Sequence, residues 1–165
     1  IGHLTVDPDS VIECTCGKTG CLEAVASATG IVNLAIHYLG TFDEDTTLKT
    51  ILQTEDHLTA VDIFKSAQEG DVFSEMIVEK FAKYLGLACS HIANTLNPSK
   101  IVLGGGVSQA GEYLRSKVDK YCYKYTFPPI RKSTNIAIAN LGNDAGILGA
   151  AKIVINEQRI EESVN

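Results

Sequence analysis

Three cysteines, Cys14, Cys16 and Cys21, fall within eight positions of one another, in the run Cys14-Thr-Cys16-Gly-Lys-Thr-Gly-Cys21. Cys14 and Cys16 have a single residue between them, so a disulfide joining them would close a strained ring. Cys89 and Cys122 stand alone, and an odd total of five argues against a disulfide framework. Reduced thiols gathered on one loop are instead a metal-binding set, and three sulfurs with one imidazole nitrogen make a common tetrahedral zinc site. Gly17 and Gly20 allow the sharp backbone turns that such clustering demands. The fourth ligand must come from elsewhere. His3 is the nearest imidazole in sequence, whereas His37, His57 and His91 fall in helical or loop stretches without thiols nearby. A site closed by His3, Cys14, Cys16 and Cys21 is structural, because no position remains for an activated water. It would fix His3 with one ring nitrogen towards zinc and the other free to donate a hydrogen bond. Glu23, two residues past the last cysteine, is held close by the same loop; on its chemistry alone it also suits the first turn of a helix. Cys89 and Cys122 read as small buried hydrophobes.

The remaining sequence suits one compact domain of 165 residues. A formal net charge of −6 weighs against a nucleic-acid surface, which needs clustered Lys and Arg. No apolar run reaches the roughly 18 residues of a membrane helix, and no charged-then-apolar leader opens the chain, so a cytoplasmic protein is expected. The chain opens without Met and runs directly into the strand-like Leu4-Thr5-Val6, which reads as a fragment whose upstream part is missing. Apolar residues from Glu23 to Tyr38 recur at helical spacing, with a stop at Gly40. Residues 41–58 are acidic and mixed and give no clear element. Thr59 and Asp62 mark the start of a helix over 59–69. A longer helix over 72–96 carries Ile77, Phe81, Tyr84, Leu85, Ala88, Ile92 and Leu96 on one face and ends at Asn97-Pro98. Its apolar face offers a dimerisation surface. Then follow a strand over 100–103, a turn at Gly104-Gly105-Gly106, a helix over 109–125, a strand over 134–141 and a helix over 144–156, with Asn143-Asp144 capping the last. Strand, helix, strand, helix implies an α/β layer arrangement. Residues 157–165 are polar and expected to fray. The glycine turn fits neither G-x-G-x-x-G nor the Walker pattern, so alone it reads equally as a structural turn or as a backbone approach to phosphate.

The pattern Gly2-His3, then Cys-x-Cys-Gly-x-x-Gly-Cys-x-Glu ending at Glu23, resembles the signature of the ROK family of repressors, open reading frames and sugar kinases. The runs Cys21–Val32, Asn97–Ser108 and Leu141–Gly146 are similar to glucokinases of that family, and the likeness extends from Ile1 to about Asn156. It implies the C-terminal lobe of an actin-like, hexokinase-type ATPase fold (RNase H-like), spanning 1–156. In that lobe a zinc and sugar-binding loop covers 1–23 and a nucleotide-side α/β unit covers 97–156. The resemblance assigns sugar contacts to His3 and Glu23, zinc ligation to His3, Cys14, Cys16 and Cys21, and nucleotide contacts to Gly104, Gly105, Gly106 and Val107. Ser108 and Gly111 would line the same wall, and Asp144 is either a helix cap or a neighbour of the nucleotide. The implied activity is phosphorylation of glucose at its 6-hydroxyl, using ATP with Mg²⁺. The catalytic aspartate, a further sugar-binding glutamate and the first phosphate loop would lie upstream of Ile1, so the chain alone is expected to be inactive. A homodimer through this lobe is implied, and a sugar-sensing domain of a ROK transcriptional repressor is the alternative. N-acetylglucosamine and fructose kinases share the motif.

Overall fold

The computed structural model describes residues 1–164, with side chains throughout except at position 143 and beyond 156. Residues 1–21 form a looped hairpin rather than a strand. The expected strand at Leu4–Val6 makes only an isolated antiparallel bridge, Thr5 to Cys21, and a second bridge joins Glu13 to Thr19. The loop is tied to the body by the Tyr84 hydroxyl, which donates to the Asp7 carboxylate at 2.7 Å. Burial and the Asp7 charge together hold that phenol protonated, above its ordinary range.

The helix expected from Glu23 is broken in two, α1 (Leu22–Ala26) and α2 (Ala28–Leu39). The break sits at Ser27, whose backbone is extended and whose hydroxyl accepts from the Gly30 N–H as an N-cap. The corner is tight: a Cβ on Gly30 would lie 2.8 Å from the Val25 carbonyl carbon. In the acidic stretch left without an element, Thr46 caps α3 (Thr47–Glu55). Next, α4 (Ala60–Gln68) starts from a capping box in which Thr59 and Asp62 satisfy each other's backbone N–H.

The helix α5 (Val72–Leu96) has the predicted bounds and forms the centre of the fold. It packs against α1, α2, α4 and the later α6 (Gly111–Tyr125). Ile77, Phe81, Tyr84 and Ala88 are buried along it, while Leu96 at its end is 73% exposed. The apolar face of α5 is therefore consumed by the chain's own core, and a homodimer would have to use another surface. Asn97, in the left-handed region at φ 44°, terminates the helix ahead of Pro98.

Two short strands, β1 (Lys100–Leu103) and β2 (Asn135–Ile138), pair in parallel with Ile101 opposite Ile136 and Leu103 opposite Ile138. Those four side chains face the core. On the other face Val102 is 56% exposed. Between β1 and α6 the expected helix start is a 3-10 turn over Gly106–Ala110. The last helix, α7 (Ala145–Val164), continues past the expected end near Asn156. Asn165, the final residue of the expected frayed tail, lies outside the described residues. Among the described residues no helix is long and apolar enough to cross a membrane.

Candidate metal centre and neighbouring loops

The hairpin brings the four sequence-predicted ligands to one point. One ligand atom from each of His3, Cys14, Cys16 and Cys21 lies within 4.8 Å of every other. His3 Nδ1 is 3.6 Å from Cys14 Sγ, and Cys16 Sγ is 3.6 Å from Cys21 Sγ. Tetrahedral zinc with Zn–S bonds of about 2.3 Å needs sulfurs roughly 3.8 Å apart, so the donor set fits in number, type and spacing. His37, His57 and His91 are all exposed and take no part. Cys89 and Cys122 are buried, as expected of small hydrophobes.

Backbone bonds hold the ligands in place. Cys14 N–H donates to the Lys18 carbonyl, Gly17 N–H to the Cys14 carbonyl, and Val6 N–H to the Gly20 carbonyl. Gly20 is indispensable to this closure. Its φ is +68°, and a Cβ there would stand 1.8 Å from the Asp7 carbonyl oxygen. The three thiols differ among themselves. A backbone hydrogen bond from Lys18 lowers Cys16, whereas burial, with the neighbouring Cys16 and Cys14 sulfurs, pushes Cys21 up to about 11.

His3 and Glu23 share one rim of the loop. The Glu23 N–H donates to the Gly2 carbonyl at 2.8 Å, which sets the start of α1 beside the His3 segment. The Glu23 carboxylate lies over Gly2 so closely that a Cβ on Gly2 would meet its Oε2 at 2.7 Å. Both His3 and Glu23 are exposed. Because His3 turns Nδ1 to the sulfurs, Nε2 is the nitrogen left for a ligand. A small cavity of about 160 Å³ adjoins Glu23, walled by Glu13, Thr15, Ser27, Thr29 and Asn33 among others. The sequence reading missed Ser27, Thr29 and Asn33; the break at Ser27 that turns them towards Glu23 was hidden inside a continuous apolar period.

The glycine turn follows β1. Gly105 has φ +80°, and Gly106 comes close to Ala28 at the start of α2. The Ser108 hydroxyl is buried and donates to the Gly105 carbonyl at 2.6 Å, so it braces the turn from within. Val107 is partly buried, with its side chain packed against the core. Gly111, at φ +58°, opens α6. Asp144 ends a 3-10 turn over Gly142–Asp144 that packs against the one carrying Gly106, and its side chain is exposed. A second cavity, of about 180 Å³, lies between this turn and α4. Ala60, Val61, Phe64, Lys65 and Gln68 form one wall and Gly106, Gln109 and Ala110 the other. The sequence reading assigned α4 no part in a site. Its signal was Val61, an aliphatic residue off the buried stripe of Ile63, Phe64 and Ala67, which is 63% exposed.

Residues 1–157 match the sequence profile of the ROK family. The chain is 42% identical over its whole length to a glucokinase of Halalkalibacterium halodurans, covering 50% of that protein. It is 33% identical over 92% of its length to an N-acetylmannosamine kinase of Haemophilus influenzae, covering 43% of it. Among solved structures, a ROK family glucokinase from Streptomyces griseus in complex with glucose and AMPPNP superposes with a TM-score of 0.76. That match has 28% identity and covers 92% of this chain and 49% of that one. A ROK family transcriptional regulator, a homologue of the E. coli MLC protein, gives a TM-score of 0.69 at 28% identity, over 83% of this chain and 33% of that one. The chain thus spans about half the length of the curated relatives it matches.

Proposed function

The chain belongs to the ROK family, with the fold of its sugar kinases, and on that premise we propose that it is the C-terminal half of an ATP-dependent glucokinase. The observation that carries this reading is the convergence of His3, Cys14, Cys16 and Cys21, with Glu23 anchored alongside, in a chain 42% identical to a glucokinase. His3, Cys14, Cys16 and Cys21 would hold a zinc ion, which would supply a structural tie rather than an activated water. The chain's own residues then do the recognising. His3 Nε2 donates to a sugar hydroxyl, and the Glu23 carboxylate accepts from hydroxyls beside it. The cavity next to Glu23 leaves room around the sugar ring.

On the nucleotide side, the backbone N–H groups of Gly104 to Val107 face the phosphates of ATP carried with Mg²⁺, and the glycines let the backbone come close. The cavity between α4 and the glycine turn suits the purine. Ala60, Val61 and Phe64 would pack on its faces, with Gln68, Gln109 and Lys65 offering polar groups at the edge. Proton removal from the 6-hydroxyl falls to an aspartate of the other half, so the 165-residue chain alone is expected to leave glucose unphosphorylated. Turnover above background in the purified chain would refute that assignment.

In the full-length protein, Glu23→Gln should raise the KM for glucose about 10- to 100-fold, since it removes charge-assisted hydrogen bonds, while the KM for ATP stays within about twofold. Equal glucose KM values for the two proteins would rule out Glu23 as a sugar contact. A second reading, a sugar-sensing domain of a repressor, draws on the likeness to the transcriptional regulator. Titration of the full-length protein with ATP separates the two: glucose binding without ATP binding supports the sensor.

A further inference from the structure

The three clustered thiols are not equally placed towards solvent. Cys14 and Cys21 are buried, at 8% and 0% exposure, whereas Cys16 is exposed in the turn closed by the Glu13–Thr19 bridge. Its sulfur nevertheless stands 3.6 Å from that of Cys21. A disulfide brings two sulfurs to about 2 Å, a further approach of roughly 1.5 Å. The connecting chain can supply that movement. Gly17 has φ +85°, and a Cβ there would meet nothing within 4 Å, so the turn is free to tighten. Cys14 is no such partner, because a single residue separates it from Cys16 and the ring would be strained. Cys89 and Cys122 are buried in the core outside the loop. A zinc-bound sulfur is also a thiolate, the species that attacks a disulfide. The loop therefore joins one accessible nucleophilic sulfur to a second, sheltered sulfur within reach of it.

We propose that Cys16 is a thiol–disulfide exchange site with Cys21 as its resolving partner, so that a low-molecular-weight disulfide closes a Cys16–Cys21 bridge and releases the metal. The Cys16 thiolate attacks one sulfur of the small disulfide, RSSR. A Cys16–S–S–R bond forms, the S–S bond of the reagent breaks and one RS⁻ leaves. The Cys21 thiolate then attacks the Cys16 sulfur, and the second RS⁻ leaves. The reagent is reduced by two electrons and the two cysteines are oxidised by the same two. With both sulfurs in the bridge, His3 and Cys14 alone hold zinc far more weakly, and the ion is lost. The His3 ring, whose Nδ1 is 3.6 Å from Cys14 Sγ, is then no longer tied through the metal. The backbone around it stays bonded: Leu22 N–H donates to the Leu4 carbonyl, Glu23 N–H to the Gly2 carbonyl, and Lys18 Nζ to the His3 carbonyl. Oxidation thus loosens His3 and leaves Glu23 anchored. That consequence for the sugar rests on the zinc and glucose roles proposed above, whereas the sulfur exchange does not.

The test treats the full-length protein, purified reduced and with zinc, with oxidised glutathione. A chromophoric chelator follows metal release, and peptide mass mapping locates each linkage. Mapping the unaltered protein needs no variant that could lose the metal and unfold. The expected course is a glutathione adduct at Cys16, then a Cys16–Cys21 disulfide, with about one zinc released per disulfide formed. Cys14, Cys89 and Cys122 should stay reduced. The glucose KM should rise about tenfold or more while the ATP KM stays within about twofold, and dithiothreitol with added zinc should reverse every change. A disulfide between any other pair, or zinc retained with all three loop thiols still reduced, would overturn the proposal. The same bridge and zinc release with an unchanged glucose KM would refute His3 as a sugar contact and leave the exchange site standing. A reduced protein that carries no zinc would refute the metal reading alone, since mass mapping still decides whether Cys16 and Cys21 join.

Discussion

Two glycines near the metal ligands do different work, and their substitution should separate folding from recognition. At Gly20 a Cβ would collide with backbone, the Asp7 carbonyl at 1.8 Å, in a conformation that L-residues rarely adopt. Gly20→Ala should therefore destabilise the chain by more than about 2 kcal/mol, lowering Tm by roughly 4–8 °C, and weaken metal retention. At Gly2 the added carbon meets only the movable Glu23 carboxylate. Gly2→Ala should leave Tm within about 2 °C of the parent while raising the glucose KM of the full-length protein, because it displaces the carboxylate proposed to contact the sugar. Matching thermal effects from both substitutions would contradict this division. The convergence of His3, Cys14, Cys16 and Cys21 was legible in the sequence, the cysteines from their spacing and His3 from its place in the motif. That His3 offers Nδ1 was not, because spacing carries no information on ring orientation.

Among the elements, Asp71 is a hinge of stability. Its carboxylate accepts from the Ser74 N–H at the head of α5, and from the Thr46 hydroxyl and Thr47 N–H at the head of α3. Desolvation raises its pKa, but the hydrogen bonds from Ser74, Thr47 and Thr46 outweigh it and hold the group below its ordinary range. Asp71→Ala removes caps from two helices and should cost about 2 kcal/mol in urea unfolding. Glu79 adds a pH signature. Burial pushes it up, while hydrogen bonds from Lys120, Tyr121 and Lys117 bring it down to about 2. A depressed carboxylate binds its proton more weakly in the folded chain than in the unfolded one. Its contribution is thus complete above the ordinary value of 4.5 and lost as pH falls from there towards about 2. Glu79→Gln should flatten the acid limb of the stability–pH curve; an unchanged slope between those limits would count against the pairing.

The elements that the sequence revealed are those with local grammar. The Thr59–Asp62 capping box, Asn97-Pro98 and the apolar period of α5 each fix a boundary within the chain, and all three lie where expected. Helix α3 escaped notice because its cap is completed by Asp71, 24 residues away from Thr47. The α1–α2 break escaped because the apolar period runs straight through Ser27.

For the whole molecule, the α/β order and the glycine turn after β1 were readable in the sequence, but the cavity beside α4 was not. It exists only because α4 packs across from the turn over Gly106–Ala110, a juxtaposition set by how both elements lie on α5 and its neighbours. The same packing explains why the apolar face of α5 is core rather than a dimer surface. The turn after β1 meets the start of α2 immediately after the Ser27 break, where a Cβ on Gly106 would stand 3.9 Å from that of Ala28. The placement of His3 beside Glu23 depends on the shape of the residues 1–21 loop, and zinc is the proposed tie that keeps it. X-ray absorption at the zinc edge of the purified chain therefore tests it most directly. One zinc per chain, with three sulfurs at about 2.3 Å and one nitrogen at about 2.0 Å, is the expected result; a chain folded without zinc, or zinc bound only through nitrogen and oxygen, would contradict it.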